Sequence, residues 1–258
     1  NRKNIARTSS KPGKTTTLNA LINELNEKEN KKIKLSVFNH KIPSSRLVPD
    51  YTNSMVNLAS SIQKYYGKES KYPSSAKLDK YLDKEYKHVL FLILDGLGPY
   101  IIRKALKSGD ILYDNLKETV SAVFPPTACA IPCSSSGKLA LETAWLGWEN
   151  YISELNRNLV LFTGENYLTK EGTGINLKKS LMPYDEYFYS LGVDAIDLEP
   201  SFKPNGYESL DELLKGFKAF KKAHERTFSY AYWAEPDSTL HLYGVASLEA
   251  NMQIKKLN

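Results

Sequence analysis

The sequence predicts an α/β protein with a mainly parallel central sheet flanked by helices, on three observations. "HVLFLILDGLG", residues 88–98, is an unbroken apolar run that ends in an aspartate. Such a run fits a strand packed on both faces, as parallel strands are. A second strand-like run, Phe228–Ala234, is rich in aromatic residues, and another aspartate, Asp237, follows it closely. Between and before these runs stand segments with helical periodicity, the alternation that builds parallel sheets.

The elements follow in order. "DYTNSMVNLASSIQKYYG" spaces Met55, Leu58, Ala59, Ile62 and Tyr66 as one face of a helix, after polar capping residues and before Gly67 as a stop. "KYPSSAKLDKYLDKEYK" predicts a loop and short helix leading into the 88–94 strand. "NLVLFTG" and "GVDAIDLEP" predict further strands. "SLDELLKGFKAFKKAHER" predicts a helix opened by Ser209 and Glu212 in capping-box spacing.

Composition sets the outer bounds. The chain has 258 residues, 41% of them hydrophobic, enough for one large domain or two small ones with a real core. No apolar run approaches the roughly 20 residues of a membrane span, and "NRKNIARTSSKPGK" lacks the apolar core of a signal peptide. The chain therefore reads as soluble and cytoplasmic, without a membrane partner. Cys129 and Cys133, the two cysteines, are too few for a disulfide framework or a four-ligand zinc site and read as buried thiols.

Charge separates the head from the body. Residues 1–34 carry nine Lys or Arg against three Glu, the whole of the formal +6 excess. From Leu35 onward 26 basic residues meet 26 acidic ones, so phosphate binding there needs a local site and nucleic acid is not an expected partner. "NRKNIARTSSKPGKTTTLN", residues 1–19, resembles the first switch region of the EngB-type ribosome-biogenesis GTPases. "PGKT" does not complete a P-loop, because Thr8 stands where the first glycine is required, and no Asn-Lys-x-Asp element occurs. Residues 1–34 are thus read as a basic segment carrying a GTPase-like fragment, apart from the body at 35–258.

Three stretches carry the chemistry. An aspartate after a strand is commonly a turn or helix-cap residue. Asp95 and Asp237, however, each follow a buried strand at the end where open parallel sheets place their ligand crevice. Asp237 and His241 would share one face of a helical turn, a donor pair suited to a zinc-class ion. In "VFPPTACAIPCSSSG", Pro125-Pro126 favours a helix start with Thr127 at its mouth. That position suits an N-cap and equally a phosphate site, since first-turn N–H groups bind either. A threonine hydroxyl becomes a useful nucleophile when a metal lowers its pKa, and Asp95 is placed to bring one.

"LILDGLG", "VFPPT…SSSGKLALETAWLGW" and "YWAEPDSTLHLYG", in this order, resemble the type I phosphodiesterase and nucleotide pyrophosphatase branch of the alkaline phosphatase superfamily over roughly residues 35–258. The resemblance implies that residues 35–258 are the N-terminal portion of an alkaline-phosphatase-type metallohydrolase domain, with that family's mainly parallel sheet. It also implies two divalent metal ions, zinc by preference, and a small-molecule phosphoester substrate. It assigns Thr127 as nucleophile and metal contact, Asp95 as ligand of the same ion, and Asp237 with His241 as ligands of the second. The family's further Asp-His pair and late histidine do not occur in these 258 residues, and are expected beyond Asn258. His40, His88 and His224 match no ligand motif. Two readings from other classes stand beside this one: an incomplete phosphate- or metal-binding domain, and a ribosome- or RNA-associated protein acting through the basic head. A sulfatase relative would need Cys or Ser in place of Thr127.

Overall fold

A computed structural model of the chain describes residues 49–121, 127–203 and 205–258. The basic segment 1–34, His40 and Pro125-Pro126 lie outside the described residues. Among those described, no helix is long and apolar enough to cross a membrane.

The first helix, α1 (Met55–Tyr65), opens with Asn57 Oδ1 accepting from both the Ser54 amide and the Ser54 hydroxyl, each at 2.8 Å. Gly67 at φ +71° follows its end. Its inward face is broader than the apolar spacing predicts. Val56, Asn57, Ser60 and Ser61 are buried together with Ala59 and Ile62, and the Ser60 hydroxyl donates to the Val56 carbonyl at 3.0 Å. Short polar side chains satisfied by nearby backbone can be buried at little cost, which hydrophobic periodicity does not reveal.

Strand β1 (His88–Leu94) leads through the Asp95 turn into α2 (Pro99–Ala105). Helix α3 (Thr127–Ser136) is followed by the strands β2 (Glu149–Ile152) and β3 (Arg157–Val160). Strand β4 (Asp194–Leu198), helix α4 (Leu210–Ala223) and strand β5 (Thr227–Trp233) come next, then α5 (Asp237–Tyr243) and α6 (Leu248–Leu257). Ser209 caps α4, its hydroxyl oxygen accepting from the Glu212 amide at 3.2 Å. The Glu212 carboxylate reaches the Glu208 amide at 3.2 Å, so the reciprocal bond falls one residue earlier than a capping box places it.

The main sheet is parallel, in the order β1-β5-β4. The expected strand at "NLVLFTG" exists as β3 but belongs elsewhere: it pairs antiparallel with β2 in a separate ribbon. Both faces of the parallel sheet are covered. On one, Ala59 and Ile62 of α1 with Tyr187, Phe188 and Leu191 pack on Phe228 and Tyr230 of β5 and on Val89, Phe91 and Ile93 of β1. On the other, Leu213, Leu214 and Phe217 of α4 pack on Ala231, Leu90, Leu92 and Leu198. This in-out alternation along β1 and β5 is what a strand between two helical layers requires. Residues of β1 are nevertheless only half-buried, because β1 lies at one edge of the three strands while β5 is central. Cys129 and Cys133 are free and buried beside Val56, and burial pushes their thiols up to about 11 and about 12.

The core centre is aromatic. Phe188 stacks on Tyr230 with ring centroids 5.2 Å apart and an interplanar angle of 14°, and both rings are inaccessible to solvent. The Tyr230 phenol is satisfied by the Ser134 hydroxyl of α3 at 2.7 Å, so this one ring joins the sheet to the helix that carries Thr127. Phe188→Ala is therefore expected to lower stability by about 3–5 kcal/mol, read from the urea midpoint at constant m-value. A loss under 1 kcal/mol would contradict this packing.

Asp197, on β4, carries an electrostatic penalty. Its Oδ1 is buried without a hydrogen-bond partner among the described residues. Burial, then the Glu199 and Glu186 carboxylates, push its pKa up to about 7. A carboxylate raised in the folded state leaves stability unaffected below its unfolded pKa and costs progressively more as pH rises to the folded value. Asp197→Asn is accordingly expected to be neutral near pH 4 and stabilising by a few kcal/mol, to order of magnitude, above about pH 7. Denaturation midpoints across that interval check it; a constant difference at all pH values would refute it.

Candidate functional site

The site is assembled by the last rungs of the parallel ladder. Leu94 is the partner of Trp233, and one residue on, the Asp95 amide donates to the Trp233 carbonyl at 2.9 Å. The Asp237 amide in turn donates to the Asp95 carbonyl at 3.0 Å. The two post-strand aspartates, 142 positions apart in the chain, are thus tied backbone to backbone. Gly96 makes this possible: its φ is +74°, and a Cβ there would stand 2.9 Å from the Asp237 Cα and 3.0 Å from its nitrogen.

Side chains converge on Asp95. The Thr127 hydroxyl, at the first residue of α3, lies 3.2 Å from Asp95 Oδ1 and 3.0 Å from Oδ2 and donates to this carboxylate. The Tyr232 hydroxyl donates to Oδ2 at 2.6 Å. Burial, then the bond to Asp95, raise the Tyr232 pKa, so the phenol stays a protonated donor. Thr127 spends its proton on Asp95 rather than acting as a simple cap.

Asp237 opens α5, and His241 stands one turn later with Nε2 3.3 Å from Asp237 Oδ2. The imidazole is 80% exposed and the Asp237 side chain 35%. The Asp237 pKa is raised, first by burial and then by the Asp95 charge; His241 acts in the opposite sense. Glu235, within the quoted motif, plays a structural part: its Oε2 accepts from the Thr239 amide at 3.1 Å and hydroxyl at 2.7 Å, fastening the first turn of α5.

All four residues singled out in the sequence therefore lie at one end of the sheet, in two linked pairs: Asp95 with Thr127, and Asp237 with His241. Tyr232 and Gly96 were missed. Both carried a signal: Tyr232 shares the face of Phe228 and Tyr230 on an alternating strand, and a glycine directly after a strand-ending aspartate marks a close backbone approach. His88 and His224 stand apart, paired with Thr227 Oγ1 at 3.1 Å and Asp194 Oδ2 at 3.0 Å.

The donors fit a divalent cation in kind, since a carboxylate raised by burial and by a neighbouring carboxylate, as Asp237 is, is relieved by a cation, and imidazole and hydroxyl complete a zinc-type set. Among the described residues, no group of three or more His, Cys, Asp and Glu side chains is gathered closely enough to hold a metal. No protein-family model matches the chain, and no curated protein matches it.

Gly96→Ala is expected to lower stability by about 1–3 kcal/mol, through the left-handed φ and the contact with Asp237. An unchanged thermal midpoint would show that the two aspartate turns are not in contact.

Proposed function

We propose that this protein is a metal-dependent phosphoester hydrolase of the alkaline-phosphatase type with Thr127 as nucleophile. The observation that carries the reading is the Thr127 hydroxyl held by both oxygens of Asp95, at 3.2 and 3.0 Å, at the start of a ten-residue helix.

Thr127 offers a hydroxyl whose direction is set by its own hydrogen bond. Asp95 holds the proton of that hydroxyl and leaves its lone pairs free of that bond. Tyr232 fixes Asp95 in turn, so the carboxylate does not rotate away from the nucleophile. The first-turn N–H groups of α3 present donors and the positive dipole end to a phosphate beside Thr127. Attack by Oγ1 on phosphorus would form a phosphothreonine and expel the ester's alkoxide; water then hydrolyses the phosphothreonine. Divalent cations held by Asp95 with Thr127, and by Asp237 with His241, would supply charge neutralisation at the phosphoryl oxygens and lower the pKa of the hydroxyl. Asp237 and His241 keep two donors one helical turn apart beside Asp95, with the imidazole 80% exposed.

The test is hydrolysis of an aryl phosphodiester in zinc, with mass spectrometry for phosphate on Thr127. Chelator-sensitive turnover and a phosphorylated Thr127 are expected in the parent. Thr127→Ala is expected to lose both, with its denaturation midpoint within about 1 kcal/mol of the parent. Parental turnover in that variant would overturn the assignment, as would a parent inactive with every divalent ion tried.

A further inference from the structure

Away from Asp95 and Thr127, a cavity of about 460 Å³ opens between the β2–β3 region and the sheet face that carries Tyr230. None of Asp95, Thr127, Asp237 and His241 lines it. Its size is that of small-molecule sites.

Its walls combine aromatic rings with charges that pair off. Trp145 lies edge to face with Tyr184 at 5.6 Å and beside Phe162 at 5.2 Å, and Tyr230 adds a fourth ring. The Trp145 indole N–H is committed to the Met182 carbonyl at 3.1 Å, leaving its ring as an apolar surface. Of the charged lining residues, Lys178 is ion-paired with Glu186 and sits 4.3 Å over the Tyr184 ring. Lys203 is ion-paired with Glu199 at 3.3 Å and lies 5.6 Å over Phe162. Asp197 is left over. It lines the same cavity, and its Oδ1 is buried without a hydrogen-bond partner among the described residues.

A buried acceptor with no donor is costly, and a cavity whose other charges are matched is one positive charge short of balance. We propose that this cavity binds a small protonated amine with an aryl or alkyl body, its ammonium donating to Asp197 and its body lying on the Trp145, Phe162 and Tyr184 rings. An N–H donor is required, so primary and secondary amines fit and quaternary ones do not. The aromatic faces add cation–π attraction and apolar burial. Anionic and neutral molecules of the same shape leave the Asp197 charge unmatched, even where an alcohol donates a hydrogen bond to it. The site goes beyond the phosphoester reading and does not depend on it.

Binding gains a pH signature. Asp197 faces Glu199 from its own strand end, Glu186 and Tyr184 from the segment before β4, Lys178 and Lys203 from the flanking turns, Tyr189, and Tyr230 from β5. With burial and the glutamates holding Asp197 near 7, raising the pH ionises it while an alkylamine stays protonated.

The test is calorimetric titration of the full chain with phenethylamine, tryptamine and phenethyl alcohol. An amine Kd of about 0.1–1 mM is expected, tightening roughly tenfold from pH 6 to pH 8, with the alcohol at least about tenfold weaker. Asp197→Asn, near-isosteric, is expected to lose at least about tenfold in amine affinity and the pH dependence, and Thr127→Ala to bind as the parent does. Denaturation midpoints establish that each variant is folded, and Phe162→Leu, which keeps the cavity apolar but removes a ring, is expected to weaken the amine severalfold. Equal affinity of parent and Asp197→Asn, equal affinity for amine and alcohol, or no binding of either amine at 10 mM would each overturn the proposal.

Discussion

The parallel pairing of β1 with β5 is the constraint on which the remaining geometry depends. Seven register partners, from His88 with Thr227 to Leu94 with Trp233, align the strands along their whole length. Two further backbone bonds carry the alignment past their ends, from Asp95 to Trp233 and from Asp237 to Asp95. In a parallel pair both chains leave the sheet at the same end, so two turns remote in sequence emerge side by side. A register slip of one residue would reverse every side chain on the slipped strand, separating Tyr232 from Asp95 and Phe228 from α1 together.

Helix α3 is positioned by the same sheet. Ser134 bonds to Tyr230, two residues before Tyr232 on the same face, and Cys129 and Cys133 pack beside Val56 of α1. Thr127 at the other end of this helix then reaches Asp95. The Thr127 hydroxyl is therefore placed by an aromatic strand residue and a helix–helix contact, which are more rigid supports than a loop would be. Gly96 supplies a backbone concession, a left-handed φ that lets Asp237 approach.

Electrostatics divides the molecule into satisfied and unsatisfied regions. Ion pairs such as Lys64 with Asp79 at 2.7 Å and Lys71 with Glu142 at 2.6 Å have well-exposed lysines, and exposure limits their worth. Asp237 and Asp197 differ: each is pushed up first by burial and then by neighbouring carboxylates. Such groups reduce stability at neutral pH, and carboxylates raised in this way concentrate where proteins bind cations or do chemistry.

The sequence by itself determined the α/β class, because uninterrupted apolar runs, helical periodicity and cap residues are local properties. His88–Leu94, Leu210–Ala223 and Thr227–Trp233 were legible for that reason. It also determined the Asp237–His241 pair, since four residues on a helix always share a face. Local pattern did not show that β2 and β3 leave the parallel sheet, that Asn57, Ser60 and Ser61 are buried on α1, or that Tyr232 supports Asp95. Nor did it show the unmatched Asp197, whose character depends on which lysine each glutamate meets. Tyr232 and Asp95 lie 137 residues apart, and only the parallel pairing of β1 with β5 decides that they meet; the burial of the α1 polar residues and of Asp197 likewise depends on what packs over them, which no local pattern states.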